Sequence, residues 1–408
     1  MTNETFIEEH REQDVRQLAL ANPPDGIDIK WCLQQIEGWQ IACRKLPQWS
    51  RTKGLHYPPR LSMEQCSSEQ TALYKRSIIE RILPPDERQR MADLTGGLGV
   101  DFSYMAPLFQ QATYVEIQPE LCDLARHNMP LLGIHNSQFI IHNNPSSLTL
   151  FIEPAPTRHN SSHFSSLTLP FSFIYIDPAR RDTSGHKTIR IADCTPNLIE
   201  CQDTLLDHAH WVMVKLSPML DIHQALKELK DVHEVHVISV GNECKELLFL
   251  CSRKVKADHI TYHCVNLGTE NEEVVTTKES FDLTYASRPL TYLYEPNASI
   301  LKAQVQDGLS EQYGVQKLHP QSHLFTGDVL IPHFPGRVFQ VVDWSDFGKK
   351  NLKALIGDLQ QANLTTRNFP TPVATLRRQL HLAEGGDTYL FATTLSNGQH
   401  ILIRCTKA

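Results

Sequence analysis

The stretch RMADLTGGLGVDF, residues 90–102, decides how this chain is read. A short apolar run, enough for one buried strand, ends in Asp93 and passes directly into a knot of glycines followed by Asp101. Glycine has no Cβ, so a strand ending this way presents bare backbone to whatever approaches it. Two phosphate-bearing ligands fit poorly. A dinucleotide fingerprint needs G-x-G-x-x-G; Gly97 and Gly99 supply two positions, but Phe102 stands at the third. A P-loop closes on Gly-Lys-Ser/Thr, a sequence this chain lacks.

S-Adenosylmethionine carries no phosphate and suits what remains. Asp93 can meet a cationic amino group directly or through water, Gly97 and Gly99 clear the approach, and Thr95 and Asp101 lie in the same polar turn. The second strand, ATYVEI, brings Glu116 to 17 residues beyond Gly99, close to the spacing at which a carboxylate accepts ribose hydroxyls in Rossmann-like folds. NAD enzymes share that feature, so it discriminates only together with the missing third glycine. After the third strand, Asn143 and Asn144 in IIHNNPSSL stand where an adenine edge is read or where a turn is simply made; Asn144 is taken as the adenine contact.

Outward from this motif, strand-like segments (MADLT, ATYVEI, SQFIIH, FSFIYID, HWVMVKLS, EVHVISVG) alternate with helical ones such as PELCDLARHNMPLLG and DIHQALKELKDV. That is the pattern of βαβ units, and it predicts a Rossmann-like, doubly wound, mainly parallel α/β sheet over residues 86–282. Residues 1–85 read as a helical cap: one helix over 4–21, a second near 29–46, and a third beginning after Ser67 and Gln70 at capping-box spacing. The polar segment 157–170 reads as a surface loop. Residues 283–408 mix helices (ASILKAQVQDGLSEQY, LKALIGDLQQA, PVATLRRQLHL) with strands (RVFQVVDW, TYLFATTL, HILIRCT), the last two around a Ser396-Asn397-Gly398 turn, and predict a separate α+β domain.

A second motif, FIYIDPARRD, ends the fourth strand. Asp177 and Pro178 put a carboxylate and a stiff backbone carbonyl at the C-terminal sheet edge, where open α/β sheets carry ligands. Arg180 and Arg181 add groups suited to phosphate or carboxylate. Lys215, at the end of the fifth strand, either contributes charge to this edge or is solvated.

DLTGGLGVD, YVEIQPEL and FIYIDPARRD resemble motifs I, II and IV of class I S-adenosylmethionine-dependent methyltransferases. EQCSSEQTALYK, VGNECKELL, LYEPNASILKA, FPGRVFQV, RNFP and GGDTYLFATTL resemble a bacterial, chiefly Bacteroidetes, group of these enzymes with a C-terminal THUMP-like domain. The resemblance covers most of the chain beyond about residue 55. It implies a ferredoxin-like/THUMP-like fold for 283–408 and, because THUMP domains deliver RNA to modifying enzymes, an RNA substrate; tRNA and rRNA are not distinguished. Motif IV departs from the Asp/Asn-Pro-Pro-aromatic form of base amino-methyltransferases, since Ala179 and Arg180 replace its last two positions. Asp-Pro-x-Arg also resembles enzymes that methylate carbon 5 of uridine, but these need a cysteine where Ser217 stands; Cys194 is the nearest substitute. Nitrogen or oxygen is therefore the expected acceptor, with Asp177 and Pro178 as acceptor-binding or base groups, Arg180 as substrate clamp and Lys215 in support. Gln65, Thr71 and Tyr74 are expected to close over the methyl donor.

Composition sets the outer bounds. The 408 residues allow two or three domains, and no run approaches the ~20 apolar residues of a bilayer span. An acidic, polar start without an apolar stretch and ten scattered cysteines without a C-x-x-C pair predict a cytoplasmic protein with reduced thiols. No metal is expected: His233 and His236 in VHEVHV lack the i, i+4 spacing of a zinc helix. The net charge of −7 is uneven, roughly +3 over residues 283–408, where Arg337, Lys349, Lys350, Lys353, Arg367, Arg377 and Arg378 can follow a phosphate backbone. The competing expectations are a methyltransferase for a small molecule or protein, and a binding module without turnover.

Overall fold

The computed structural model describes residues 1–20, 24–141, 171–179, 190–269, 272–277, 283–357 and 359–408. They form two compact units, Met1–His233 with Leu248–Asp258, and Glu234–Leu247 with His259–Ala408. The first unit takes in the N-terminal helices, and the second takes in Glu234–Leu247 and the chain from His259 onward.

In the first unit, β1 (Arg90–Asp93), β2 (Gln111–Glu116), β3 (Ser137–Ile141), β4 (Phe171–Ile176) and β5 (Ala209–Leu216) are all parallel, in the order β3-β2-β1-β4-β5. Near-continuous burial along β1, β2 and β4 shows that both faces are covered, as a parallel sheet requires. The order reverses between β1 and β4, so the ends of these two strands flank the switch-point crevice where such sheets bind ligands. The strands β1 to β5 all follow the sequence expectation.

The N-terminal cap differs in detail. The helix expected over 4–21 breaks into α1 (Asn3–His10) and α2 (Val15–Leu18), because Asp14 caps a new start by accepting from Arg16 N–H (2.7 Å), while Gln40 donates to the freed carbonyls of Arg11 and Gln13. Next come α3 (Ile29–Lys45), α4 (Pro47–Arg51), α5 (Arg60–Gln65) and α6 (Glu69–Ile82). The cap of α6 is Ser68, not Ser67, and it accepts from Thr71 N–H (3.2 Å). A shift of one residue frees the Ser67 hydroxyl for a different task. Following β1 and β2 are α7 (Val100–Met105) and α8 (Pro119–Leu131), and later α9 (Leu198–His208) precedes β5 and α10 (Ile222–Glu228) follows it.

In the second unit, β6 (Val232–Val240) pairs in parallel with β8 (Thr261–Leu267), and β9 (Glu273–Thr277) runs antiparallel to β8. The strand β7 (Glu243–Cys251) is divided between the units. A seven-stranded sheet follows: β10 (Tyr292–Pro296), β11 (Gln316–Lys317), β12 (Phe325–Gly327), β13 (Gly336–Asp346), β14 (Asn363–Arg367), β15 (Tyr389–Thr394) and β16 (His400–Lys407), ordered β11-β12-β10-β13-β16-β15-β14. Only the β14–β15 pairing is parallel among those recorded. The single helix expected over 298–313 is two, α11 (Ala298–Ala303) and α12 (Gly308–Tyr313), because Gln304 turns left-handed at φ 58° and closes the first. The other expected helices are α13 (Lys349–Ile356) and α14 (Val373–Leu380), and the Ser-Asn-Gly turn joins β15 to β16.

Candidate active site

The glycine knot folds as a tight turn whose residues do different jobs. A Cβ at Gly96, which sequence reasoning passed over, would overlap the Tyr114 ring, and one at Gly99 would overlap Met129 Cε. These two positions let β1 and α7 sit against β2 and α8. At Gly97 (φ 55°), nothing among the described residues lies nearer an added Cβ than the Thr95 carbonyl at 3.8 Å. Gly97 therefore leaves room beside the turn, while Gly99 serves packing and the left-handed entry to α7 (φ 83°). Gly99→Ala combines that φ with the Met129 overlap and is expected to destabilise the protein by about 1–3 kcal/mol in thermal unfolding.

Glu116 reaches this turn from β2. Its Oε2 accepts from Gly97 N–H (2.7 Å), and Oε1 accepts from Ile117 and Gln118 N–H (2.9 Å each). A carboxylate offers about four acceptor sites, so the three backbone donors leave capacity for one hydroxyl. Asp93 is buried at the end of β1 and accepts from Thr95 N–H (3.0 Å). Among the described residues no cation pairs with it. Burial, opposed by that bond and reinforced by the charges of Asp101, Asp177 and Glu116, pushes its carboxyl well above the usual range. Thr95 also ties motif I to motif IV, its hydroxyl accepting from Asp177 N–H (2.6 Å).

Asp101 belongs to a buried network rather than an open turn. Lys75, fully buried on α6, donates to its Oδ1 (3.0 Å), and Ser67 and Tyr175 hydroxyls donate to Oδ2 (2.7 Å each). Burial alone would raise Asp101, but Lys75 and Lys215 with the two hydroxyls hold it well below the ordinary carboxylate range. Lys215 joins this network to motif IV: its Nζ lies 2.6 Å from Asp177 Oδ2, 3.3 Å from Ser67 Oγ and 3.7 Å from Asp101 Oδ2. So the structure brings together Asp93, Thr95, Gly97, Asp101, Glu116, Asp177 and Lys215, as the sequence placed them at one sheet edge.

Lys75, Ser67 and Tyr175 were missed as members. The available sign was Lys75 itself, which occupies the apolar stripe of α6 with Thr71, Ala72, Ile78 and Ile79. Thr71 is buried, but its hydroxyl donates to the Ser68 carbonyl (3.1 Å), so its polar groups serve the helix cap. Gln65 is exposed at the end of α5, and Tyr74 is half-buried on α6. Pro178 is buried, and Ala179 exchanges backbone hydrogen bonds with Thr195 (2.8 and 2.9 Å), which carries Cys194 beside motif IV. The Cys194 thiol is buried and donates to the Arg190 carbonyl (3.4 Å). Asn143, Asn144, Arg180, Arg181 and the segment 157–170 lie outside the described residues.

The VHEVHV histidines separate. His233 Nε2 lies 2.8 Å from the Ser252 carbonyl. In the second unit, His236 and Glu234 meet His263 of β8, one donor atom from each lying within 4.8 Å of the others. The two rings stack 4.2 Å apart and 11° from parallel. An imidazole lone pair lies in the ring plane, so in this arrangement the two do not converge on one point.

The parallel strand order, the switch-point crevice and the acidic turn at Gly97 define a Rossmann-like class I methyltransferase architecture. Family models match residues 292–335, as a ferredoxin-like domain, and 336–407, as a THUMP domain-like domain. The chain resembles, at 32% identity and a TM-score of 0.82, the crystal structure of a protein assigned as a methyltransferase from Porphyromonas gingivalis W83, over 100% of this chain and 97% of that one. It is also 25% identical over 295 residues to uncharacterized S-adenosylmethionine-dependent methyltransferases of two Mycobacterium tuberculosis strains, covering 71% of this chain and 73% of theirs. The chain belongs to the S-adenosylmethionine-dependent methyltransferases that carry a C-terminal THUMP-like domain, and S-adenosylmethionine is its cofactor.

Proposed function

We propose that this methyltransferase acts on structured RNA and that the acceptor atom is a nitrogen or an oxygen. The observation that carries the RNA reading is the THUMP-like domain at residues 336–407, placed on a methyltransferase chain. In RNA-modifying enzymes such domains deliver the substrate.

On this reading Asp93 meets the amino group of the methyl donor, Gly97 admits it, and Glu116 takes a ribose hydroxyl. A cationic ligand is what the crevice asks for: Asp101 and Asp177 have lysine partners, whereas buried Asp93 has none among the described residues. When bound, S-adenosylmethionine supplies an electrophilic methyl group. Asp177 stands at the end of β4 with about a third of its side chain exposed (36%). Lys215 engages its Oδ2, so the acceptor N–H or O–H bonds Oδ1, which orients the acceptor lone pair and receives its proton. Two thiols near this edge fit covalent addition to a ring carbon poorly. Cys194 is buried, and burial raises Cys66, near Asp101 and Lys215, above the usual thiol range despite the opposing charge of Lys45.

The substrate test is transfer of label from methyl-labelled donor to fractionated cell extract. Label in an RNase-sensitive fraction is expected; label confined to protein or small molecules would overturn the RNA reading. For the donor site, Glu116→Ala is expected to weaken S-adenosylhomocysteine binding about tenfold by calorimetry, through loss of a charge-assisted hydrogen bond. Unchanged affinity would remove Glu116 from the site.

A further inference from the structure

Three separated stretches of the second unit, LYEPNASILKA, FPGRVFQV and RNFP, meet at one carboxylate. Glu295 on β10 stands directly opposite Arg337 on β13. Arg337 donates Nε–H (2.8 Å) and Nη2–H to Glu295 Oε2. Arg367 closes β14, four strands from β10 in the sheet order, yet its Nε (3.0 Å) and Nη2 (2.7 Å) reach Glu295 Oε1. The backbone is shaped for this meeting: a Cβ at Gly336 would overlap the Glu295 carbonyl, and Asn297 N–H donates to the Pro335 carbonyl (3.0 Å). Glu295 lies in the ferredoxin-like match and both arginines in the THUMP-like one.

One cation neutralises one buried carboxylate, and here there are two. The Glu295 side chain is 3% exposed, whereas those of Arg337 and Arg367 are 44% and 38% exposed. Three donated N–H groups and the Arg367 Nη2 contact occupy the carboxylate, and Arg337 has spent two of its five N–H groups on it. One more from Arg367 goes to the Thr366 carbonyl (3.4 Å), and Arg337 rests over the Phe339 ring (5.4 Å). The surplus is one positive charge on two forks already fixed in place. A phosphate accepts such forks bidentately, and fixing them beforehand removes the ordering cost of binding. The remaining basic residues differ: Arg377 donates to the Ala362 and Ala383 carbonyls, and Lys349, Lys350 and Lys353 are exposed on or at the start of α13.

We infer that Arg337 and Arg367, held on Glu295, form a clamp for a phosphate group of the RNA. This rests on the RNA reading above. The test is fluorescence anisotropy with the full chain and a labelled stem-loop RNA ending in a short single strand, titrated at several salt concentrations. Arg337→Gln and Arg367→Gln are each expected to bind about tenfold more weakly and to lower the salt slope by about 0.7–0.9. Arg337→Lys and Arg367→Lys keep the charge but lose the fork, so the slope returns while the affinity does not. S-Adenosylhomocysteine binding and the melting temperature serve as fold controls, and the Lys variants carry the test should a Gln variant not fold. Wild-type affinity and slope in folded variants would overturn the clamp and leave the RNA reading standing. A wild-type protein with no affinity for RNA would overturn both. Probes with and without a terminal phosphate distinguish an end group from the backbone, and a loss with either one supports the clamp.

Discussion

Asp93→Asn is expected to bind S-adenosylhomocysteine about tenfold to a hundredfold more weakly than the wild type while the ligand-free protein becomes more stable. Both effects come from one buried carboxyl. Its ionised form has a backbone bond from Thr95 but no cation among the described residues, and burial with three neighbouring acids favours the neutral form. A ligand ammonium supplies the missing charge, a charge-assisted contact that asparagine cannot match. The sign with pH follows. The folded carboxyl is raised, so its stabilising contribution is fully present below the unfolded value near 4 and is lost as pH rises through the folded one. Ligand affinity runs the other way and increases with pH across that window. Calorimetry and thermal melts over a pH series measure both, and the asparagine variant should flatten both dependences. Equal affinity in variant and wild type would place the amino group elsewhere.

Lys75→Met is expected to give the largest stability loss, about 3–5 kcal/mol in denaturant unfolding, because it strands Asp101 inside the protein. Lys75 and Asp101 are both buried, and Lys215 at 3.7 Å with two hydroxyls is left to hold the charge. The folded Asp101 carboxyl is depressed, so its contribution is present above the unfolded value and lost as pH falls through the folded one. Without Lys75 that acid-side loss should begin at higher pH. Pairing Lys75→Met with Asp101→Asn should recover much of the loss, since no charge is then left unpartnered. An additive double variant would show that the two residues do not act as a pair.

The contrast between these residues shows what a sequence carries. Local rules announced the strand that ends at Asp93, the carboxylate at the end of β2 and the Asp-Pro that closes β4, because strand periodicity and chain order suffice to place strand ends at one sheet edge. The same rules could not divide labour among the glycines. Whether Gly97 or Gly99 has room beside it depends on where Tyr114 and Met129 lie, and these are set by packing between strands and helices. One-residue differences also escaped local reading: Ser68 and Ser67 are equally good caps in sequence, and only the approach of α6 to Asp101 decides which hydroxyl is free.

From its sequence alone the chain determined its parallel α/β unit, its helical start, its α+β end and the acidic edge that suits a sulfonium donor. Each rests on patterns a few residues long. Tertiary structure alone decided that a lysine from the helical cap neutralises Asp101, that Lys215 joins Asp101 to Asp177, and that Arg337 and Arg367 share Glu295. The physical reason is common to all three. A charge leaves water only where partners from remote segments meet it, and those meetings are fixed by how the segments pack.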